Sequence, residues 1–254
     1  MVLYGLWTRY SSWTVRIVLV LDYFQIPYTA RYYNIYDPAT RPSDEHLKGR
    51  LVPMLQPDAN DPNFIIQDSL AICEYLAESF PDQNLWPKDA KLRALARSAA
   101  AQMHSGFNKL RNTYHTNFVA KYTGEIPLND AAKKEVASML DIWHDARSQT
   151  TERLSELGQK DAGFLFGSFS IADAFFWPVL WRFRSYQLPL DGITHDALQW
   201  MKTMWSHPVM KAQARGYFEQ AKDAATRVDR FDDIFKGNPS VHCDRFEENW
   251  SFLP

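Results

Sequence analysis

The chain has 254 residues, enough for one large domain or two ordinary ones. Apolar residues make up 46% and charged residues 23%, the balance of a globular protein with a sizeable core. The formal net charge of −2 leaves no electrostatic footprint for nucleic acid or an anionic membrane, and neither is expected as a partner.

Residues 2–7, VLYGLW, predict a short buried strand. Val15 to Phe24 follow with helical length and end at Pro27. Residues 28–35, YTARYYNI, predict a second strand, so the order implies a parallel pair joined by a crossover helix. Two prolines and several charges make 37–50 a loop with at most a short helix. Leu51 to Leu55 and Phe64 to Ile66 predict two more strands forming a hairpin. A helix is expected from Ser69 to about Phe80. Residues 1–82 therefore read as a two-layer α/β domain, and 83–89, with Leu85-Trp86-Pro87, as a linker.

Beyond it the character changes. Helical periodicity runs through 90–122 as one long pattern, then through 129–157, 171–187 and 195–221, the last broken near Pro208. No strand pattern is evident, so 90–222 predicts an all-helical domain. Residues 223–254 are charged and aromatic with little periodicity and read as an extended tail.

Neither a secretory signal nor a membrane span is visible. Two cysteines, Cys73 and Cys243, make no disulfide framework, and a reducing, cytoplasmic setting is expected. The seven histidines show no metal-ligand spacing, so no metal is expected.

Four short stretches could carry chemistry. Ser11-Ser12-Trp13-Thr14 stands where the first helix begins. Serines there serve as N-caps, or as hydroxyl donors beside an anion held at the helix N-terminus. Val52-Pro53 is a strand entry that admits either peptide isomer. Asp68-Ser69 caps the next helix, or holds a carboxylate and an ammonium group. Ser170-Ile171-Ala172-Asp173 has capping-box spacing ahead of an apolar run and reads as structural.

The order and spacing of these pieces resemble a cytosolic, Ser-type glutathione S-transferase of the bacterial-type group with an SSW segment. The resemblance covers residues 1 to about 220 and rests on Tyr10 to Arg16, Val52 to Leu55, Gln67 to Leu76 and Phe169 to Asp173, with Met103 to Phe107 and Leu110-Arg111 beside them. It implies an α/β plus all-α fold, a thioredoxin-like N-terminal domain followed by an all-helical C-terminal domain. It implies glutathione as co-substrate and a homodimer.

By the same resemblance, Ser11 donates to the glutathione sulfur, with Ser12 the runner-up, and Trp13 packs at the junction. Val52 pairs its backbone with the cysteinyl part through a cis bond to Pro53. Asp68 and Ser69 hold the γ-glutamyl end. Leu51 replaces a polar contact of the family, so the glycyl carboxylate falls to His46, Lys48 or Arg50. The pocket for a small hydrophobic electrophile is expected between Trp7, Arg9 and Tyr10 on one side and His104, Phe107, Arg111, Tyr114 and Trp177 on the other. Tyr114-His115 departs from the group's usual pair there, and Phe246, Trp250 and Phe252 of the tail are expected to cap the pocket. The activity implied is conjugation of glutathione, in a detoxification role. Alternatives on the same fold are a glutathione-dependent isomerase, a ring-opening or an ether- or halide-cleaving enzyme, and a non-catalytic ligand-binding protein.

Overall fold

The structure is a computed structural model and describes residues 1–34, 36–40 and 49–248. Its first layer is a four-stranded sheet of order β2-β1-β3-β4. Strand β1 (Val2–Gly5) is wholly buried at the centre. It pairs in parallel with β2 (Thr29–Tyr32), Val2 opposite Thr29, as the crossover predicts. On its other side β1 runs antiparallel to β3 (Met54–Gln56), which pairs with β4 (Ile66–Gln67). The hairpin expected between these last two is present, with a longer connection than a tight turn.

The crossover helix α1 (Ser12–Tyr23) begins three residues earlier than the apolar run suggests. Val15 and Ile17 to Leu21 are all buried, so the helix is covered on every side. One face lies on the sheet layer and the other meets α6 (Ile171–Ser185) and α8 (Pro208–Lys222). Helix α2 (Ser69–Ser79) packs against α1 and β3.

The segment expected as a linker is not loose. Leu85 and Trp86 are buried, and the Leu85 carbonyl accepts from Ile171 N–H at 3.0 Å. Asp89 caps α3 (Ala90–Ser105) and pairs with Arg153 of α5 (Asp130–Glu156) at 2.9 Å.

Between 90 and 122 the chain differs from the expected single helix. It breaks at Gly106 and Phe107, where Phe107 takes a left-handed φ of 57°. A short α4 (Asn108–Thr113) follows, and then a strand, β5 (Ala120–Gly124). Its partner is β6 (Val241–Arg245) in the tail, antiparallel with Tyr122 opposite Cys243. The otherwise helical second half thus carries a two-stranded sheet. The pairing spans over a hundred residues, and local periodicity carries no signal of it. The tail also holds a one-turn helix, α9 (Asp229–Asp232), and so is not simply extended.

Helix α6 is the core of the helical layer, buried at every position. The capping box read from the sequence is present at its start. Asp173 is fully buried and accepts from Leu165 N–H, Ser170 N–H and Trp200 Nε1–H, each at 2.9 Å. Burial raises its carboxyl pKa, and those donors oppose the rise. Helix α7 (His195–Ser206) is held to α6 through Trp200. Asp173→Ala leaves three buried donors unpaired, each costing ~1–3 kcal/mol. We expect it to lower stability by at least ~3 kcal/mol, with Asp173→Asn milder because it keeps one acceptor; urea unfolding midpoints measure both.

Candidate active site

The site begins at a close approach of backbone to helix. A Cβ on Gly5 would stand 2.4 Å from Thr14 Cγ2, so only glycine lets β1 pass beneath the first turn of α1. Thr14 in turn fixes Ser11, the N-cap. Ser11 Oγ accepts from Thr14 N–H at 3.1 Å and donates to Thr14 Oγ1 at 2.9 Å. Ser12 is the first helical residue, and its hydroxyl has no partner among the described residues. Both serines line a cleft of about 350 Å³.

Trp13 stands at the junction, as expected. Arg16 lies over its ring at 4.6 Å, Arg111 at 5.2 Å, and His104 meets its edge at 5.4 Å. Arg16 is fully buried between Trp13 and Phe175. Desolvation, with Arg182 and Arg111 nearby, lowers its pKa to about 9.

The second and third stretches come to the same side. The Val52–Pro53 peptide is cis, and Val52 lines the cleft. Asp68 caps α2, its Oδ1 accepting from Leu70 N–H at 2.8 Å and Ala71 N–H at 3.1 Å. Its Oδ2 meets His104 Nε2 at 3.0 Å. Burial lowers the His104 pKa, against the pull of Asp68. Ser69 Oγ is buried with no hydrogen-bond partner. Arg50 is exposed and reaches Gln67 Oε1 at 3.4 Å, and Leu51 is 80% exposed. His46 and Lys48 lie outside the described residues.

The far wall of the cleft is Arg111, Asn112, His115, Thr116 and Arg182. Its roof is the tail. Phe231 stacks on His115 at 5.4 Å and meets the ring of Tyr36 edge-on. Asn117 Nδ2 donates to the Phe231 and Asp232 carbonyls. Tyr10 donates to Asp232 Oδ1 at 2.7 Å and accepts from Arg9 at 2.5 Å. Arg227 and Arg245 reach the other oxygen of Asp232 at 3.3 and 3.7 Å.

A thioredoxin-like sheet layer, a helical layer and this cleft thus make up the molecule. The family model for the glutathione S-transferase N-terminal domain matches residues 10–79, and that for the C-terminal domain matches 126–205. The chain belongs to the glutathione S-transferase superfamily.

Among curated members, a maleylacetoacetate isomerase of Dictyostelium discoideum is 34% identical over 139 residues, 54% of this chain and 59% of that protein. A maleylpyruvate isomerase of a Ralstonia species is 26% identical over 75% of this chain and 85% of its own. The chain thus matches under two thirds of the first of these relatives. Among solved structures, a glutathione transferase homolog from Burkholderia with bound glutathione superposes with TM-score 0.53 and 21% identity, covering 88% of this chain and 98% of that one. That likeness speaks for the fold.

Of the residues expected in the electrophile pocket, Tyr10 and Arg111 line the cleft. The six others do not, for packing reasons. Arg9 is 1% exposed and sits behind Tyr10, over its ring at 4.3 Å. Trp7 tilts against Tyr32. Tyr114 is sealed in the core with its hydroxyl on the Pro127 carbonyl at 2.6 Å, and the next residue, His115, faces the cleft instead. Trp177 is sealed inside α6 with its indole N–H on Tyr217. Phe107 opens α4 and His104 turns to Asp68, so neither forms a wall. The tail roofs the cleft through Phe231, and Asp232 beside it anchors the tail to Tyr10. Phe246 packs on Arg184 at 3.5 Å instead. Trp250 and Phe252 lie outside the described residues.

Two stability effects follow from these contacts. Ser11→Ala removes the α1 cap and is expected to cost ~1 kcal/mol, whereas Ser12→Ala leaves the denaturant midpoint near wild type. Asp232→Ala strips buried Arg9 of its counter-ion and Tyr10 of its acceptor. We expect a loss of about 2–4 kcal/mol. Protease should then cut within 223–248 before the rest of the chain unfolds.

Proposed function

We propose that the chain is a glutathione-dependent enzyme that holds the glutathione thiol as a thiolate at the start of α1 and directs it at an electrophile in the adjoining cleft. The observation that carries this reading is the shared opening: two serine hydroxyls, a helix N-terminus and Val52 all face one cavity. Free N–H groups at a helix start stabilise an anion, and a thiol near 8.5 in water falls by one or more units there. Ser69, with a buried unpaired hydroxyl at the start of α2, suits the γ-glutamyl carboxylate, and Asp68 beside it suits the ammonium group.

The resemblance puts the sulfur's donor at Ser11. The hydrogen bonding favours Ser12, because the Ser11 hydroxyl both accepts from and donates to Thr14. Ser11 then builds the turn and Ser12 donates to sulfur. Conjugation would follow by attack of the thiolate on the electrophilic carbon, with departure of a leaving group or protonation of an adduct.

A second reading is favoured by the relatives, several of which are named isomerases. There the thiolate adds to a conjugated double bond, the resulting single bond rotates, and expulsion of the thiolate restores the double bond. Conjugation consumes glutathione and isomerisation returns it, so a thiol count after turnover separates the two.

The site itself is tested by the ultraviolet thiolate absorbance of bound glutathione, titrated with pH. We expect a depressed thiol pKa in wild type that reverts in Ser12→Ala, with turnover down about a hundredfold. Ser11→Ala should keep the depressed value. Reversion in Ser11→Ala alone would return the role to Ser11, and an unshifted thiol in wild type would remove the thiolate reading.

A further inference from the structure

Proton transfer singles out one side chain of the cleft. A thiol that adds across a double bond loses its proton and the product regains one, and a positioned carrier speeds both transfers. Among the residues lining the cleft, His115 is the one whose side chain gains and loses a proton near neutral pH. The lining holds no Asp, Glu, Cys or Lys. Serine and threonine hydroxyls keep their protons, and tyrosine and arginine release theirs only well above neutrality.

The fold grips the backbone of His115 and leaves its ring nitrogens uncommitted. The segment joins α4 to β5 and is held from α6. The Tyr114 carbonyl accepts from Arg182 Nε at 2.8 Å, the His115 carbonyl from the Tyr186 hydroxyl at 2.5 Å, and Thr116 Oγ1 from Arg182 Nη2 at 2.9 Å. Phe118 N–H donates to the Arg9 carbonyl at 2.9 Å, which ties the same segment to the turn before the serines. One face of the imidazole lies on Phe231, the two planes 29° apart. The ring is half-buried and opens to the cleft, and neither of its nitrogens has a hydrogen-bond partner among the described residues. A histidine that serves only the core is hydrogen-bonded there. This one is positioned without being used.

Electrostatics set its resting state. Burial lowers the His115 pKa, and Arg182 of α6 and Arg230 of α9 lower it further. Arg111 of α4 lines the same cleft, and Tyr10 donates to Asp232 at 2.7 Å. The ring is therefore neutral at pH 7 and able to accept a proton. Once charged, it is a stronger acid than free imidazolium and gives the proton up readily.

We propose that His115 is a catalytic acid–base of this cleft, which takes the proton of the glutathione thiol and returns it to the electrophile. The inference rests on the glutathione site proposed above. The cavity of about 350 Å³ is at the small end of ligand pockets, so a sulfur at the serine turn and a small acceptor share it with the ring. The thiol proton moves to a ring nitrogen, leaving a thiolate and an imidazolium. The thiolate forms the S–C bond at the β-carbon of a conjugated carbonyl, and the π pair moves through the enolate to the α-carbon. The imidazolium proton goes to that carbon and the ring returns to neutral, with no other reactant consumed.

The test has a spectroscopic arm and a kinetic one. The imidazole C–H resonance of His115, assigned by its absence in His115→Gln or His115→Phe, is titrated with pH in wild type holding glutathione or S-methylglutathione. A thiolate beside the ring favours its charged form, so we expect the midpoint to lie at least about one pH unit higher with glutathione than with the thioether, which has no thiol to ionise. In turnover, trans-4-phenyl-3-buten-2-one adds the thiol and needs the proton back, whereas 1-chloro-2,4-dinitrobenzene loses chloride and does not. His115→Gln should lower the ratio of addition to substitution kcat about a hundredfold. The alkaline limb of the addition rate, where the imidazolium is lost, should vanish with it. An equal loss on both electrophiles is a packing effect and overturns the proposal. A His115 midpoint unmoved by glutathione, while ultraviolet absorbance shows a bound thiolate, overturns it too. So does a bound thiolate that adds to the enone no faster than free glutathione does. Absence of thiolate absorbance instead brings down the glutathione site beneath, and this proposal with it.

Discussion

The rest of the structure depends on how α1 is buried. The sheet covers one face and α6 and α8 cover the other, so Val15 to Leu21 are dry while its first turn borders the cleft. Gly5 is the condition for this, because a side chain there would push against Thr14 and displace the turn that Ser11 caps. A helix N-terminus that is fixed by packing but uncovered at its donors is a standing site for an anion. In this fold the helical layer supplies the packing and the cleft supplies the opening.

The two layers meet through polar contacts of high commitment. Asp22 at the end of α1 accepts from Tyr28 at 3.0 Å and also from Gln213 of α8. Gln220 of α8 reaches both Arg9 N–H and Thr8 Oγ1. The tail then closes the same seam, with Asp232 as the meeting point of Tyr10, Arg9, Arg227 and Arg245. The roof of the cleft is therefore anchored to the residues immediately before the serines. Shape at the roof of the cleft and shape at the serine turn are coupled through Tyr10.

Much of the fold was legible. The β-α-β order with its parallel pair, the β3–β4 hairpin, α2, α5 and the break near Pro208 all follow from apolar periodicity and proline position. The capping box at Ser170 was readable because it is a local hydrogen-bonding motif. The serine turn, Val52 and Asp68-Ser69 were legible as motifs in order, and the fold places Ser11, Ser12 and Val52 on one cleft. The far wall of the cleft was legible only in part. Of Tyr114-His115 only His115 lines the cleft; α4 is short and starts after a left-handed residue, so helical phase from 90–105 does not carry into it. Arg182 was hidden within an apolar run, where a charge reads as an interruption until its surroundings are known.

By itself the sequence determined the local elements, their caps and the motif order, since these depend on neighbours within a few residues. Tertiary structure alone decided which side chains share the cavity, that β5 and β6 pair, that Phe231 roofs the cleft with Asp232 as its anchor, and that two guanidiniums face the cleft without a carboxylate. Those facts depend on burial and on contacts across more than a hundred residues, and burial sets the energetic weight of a charge.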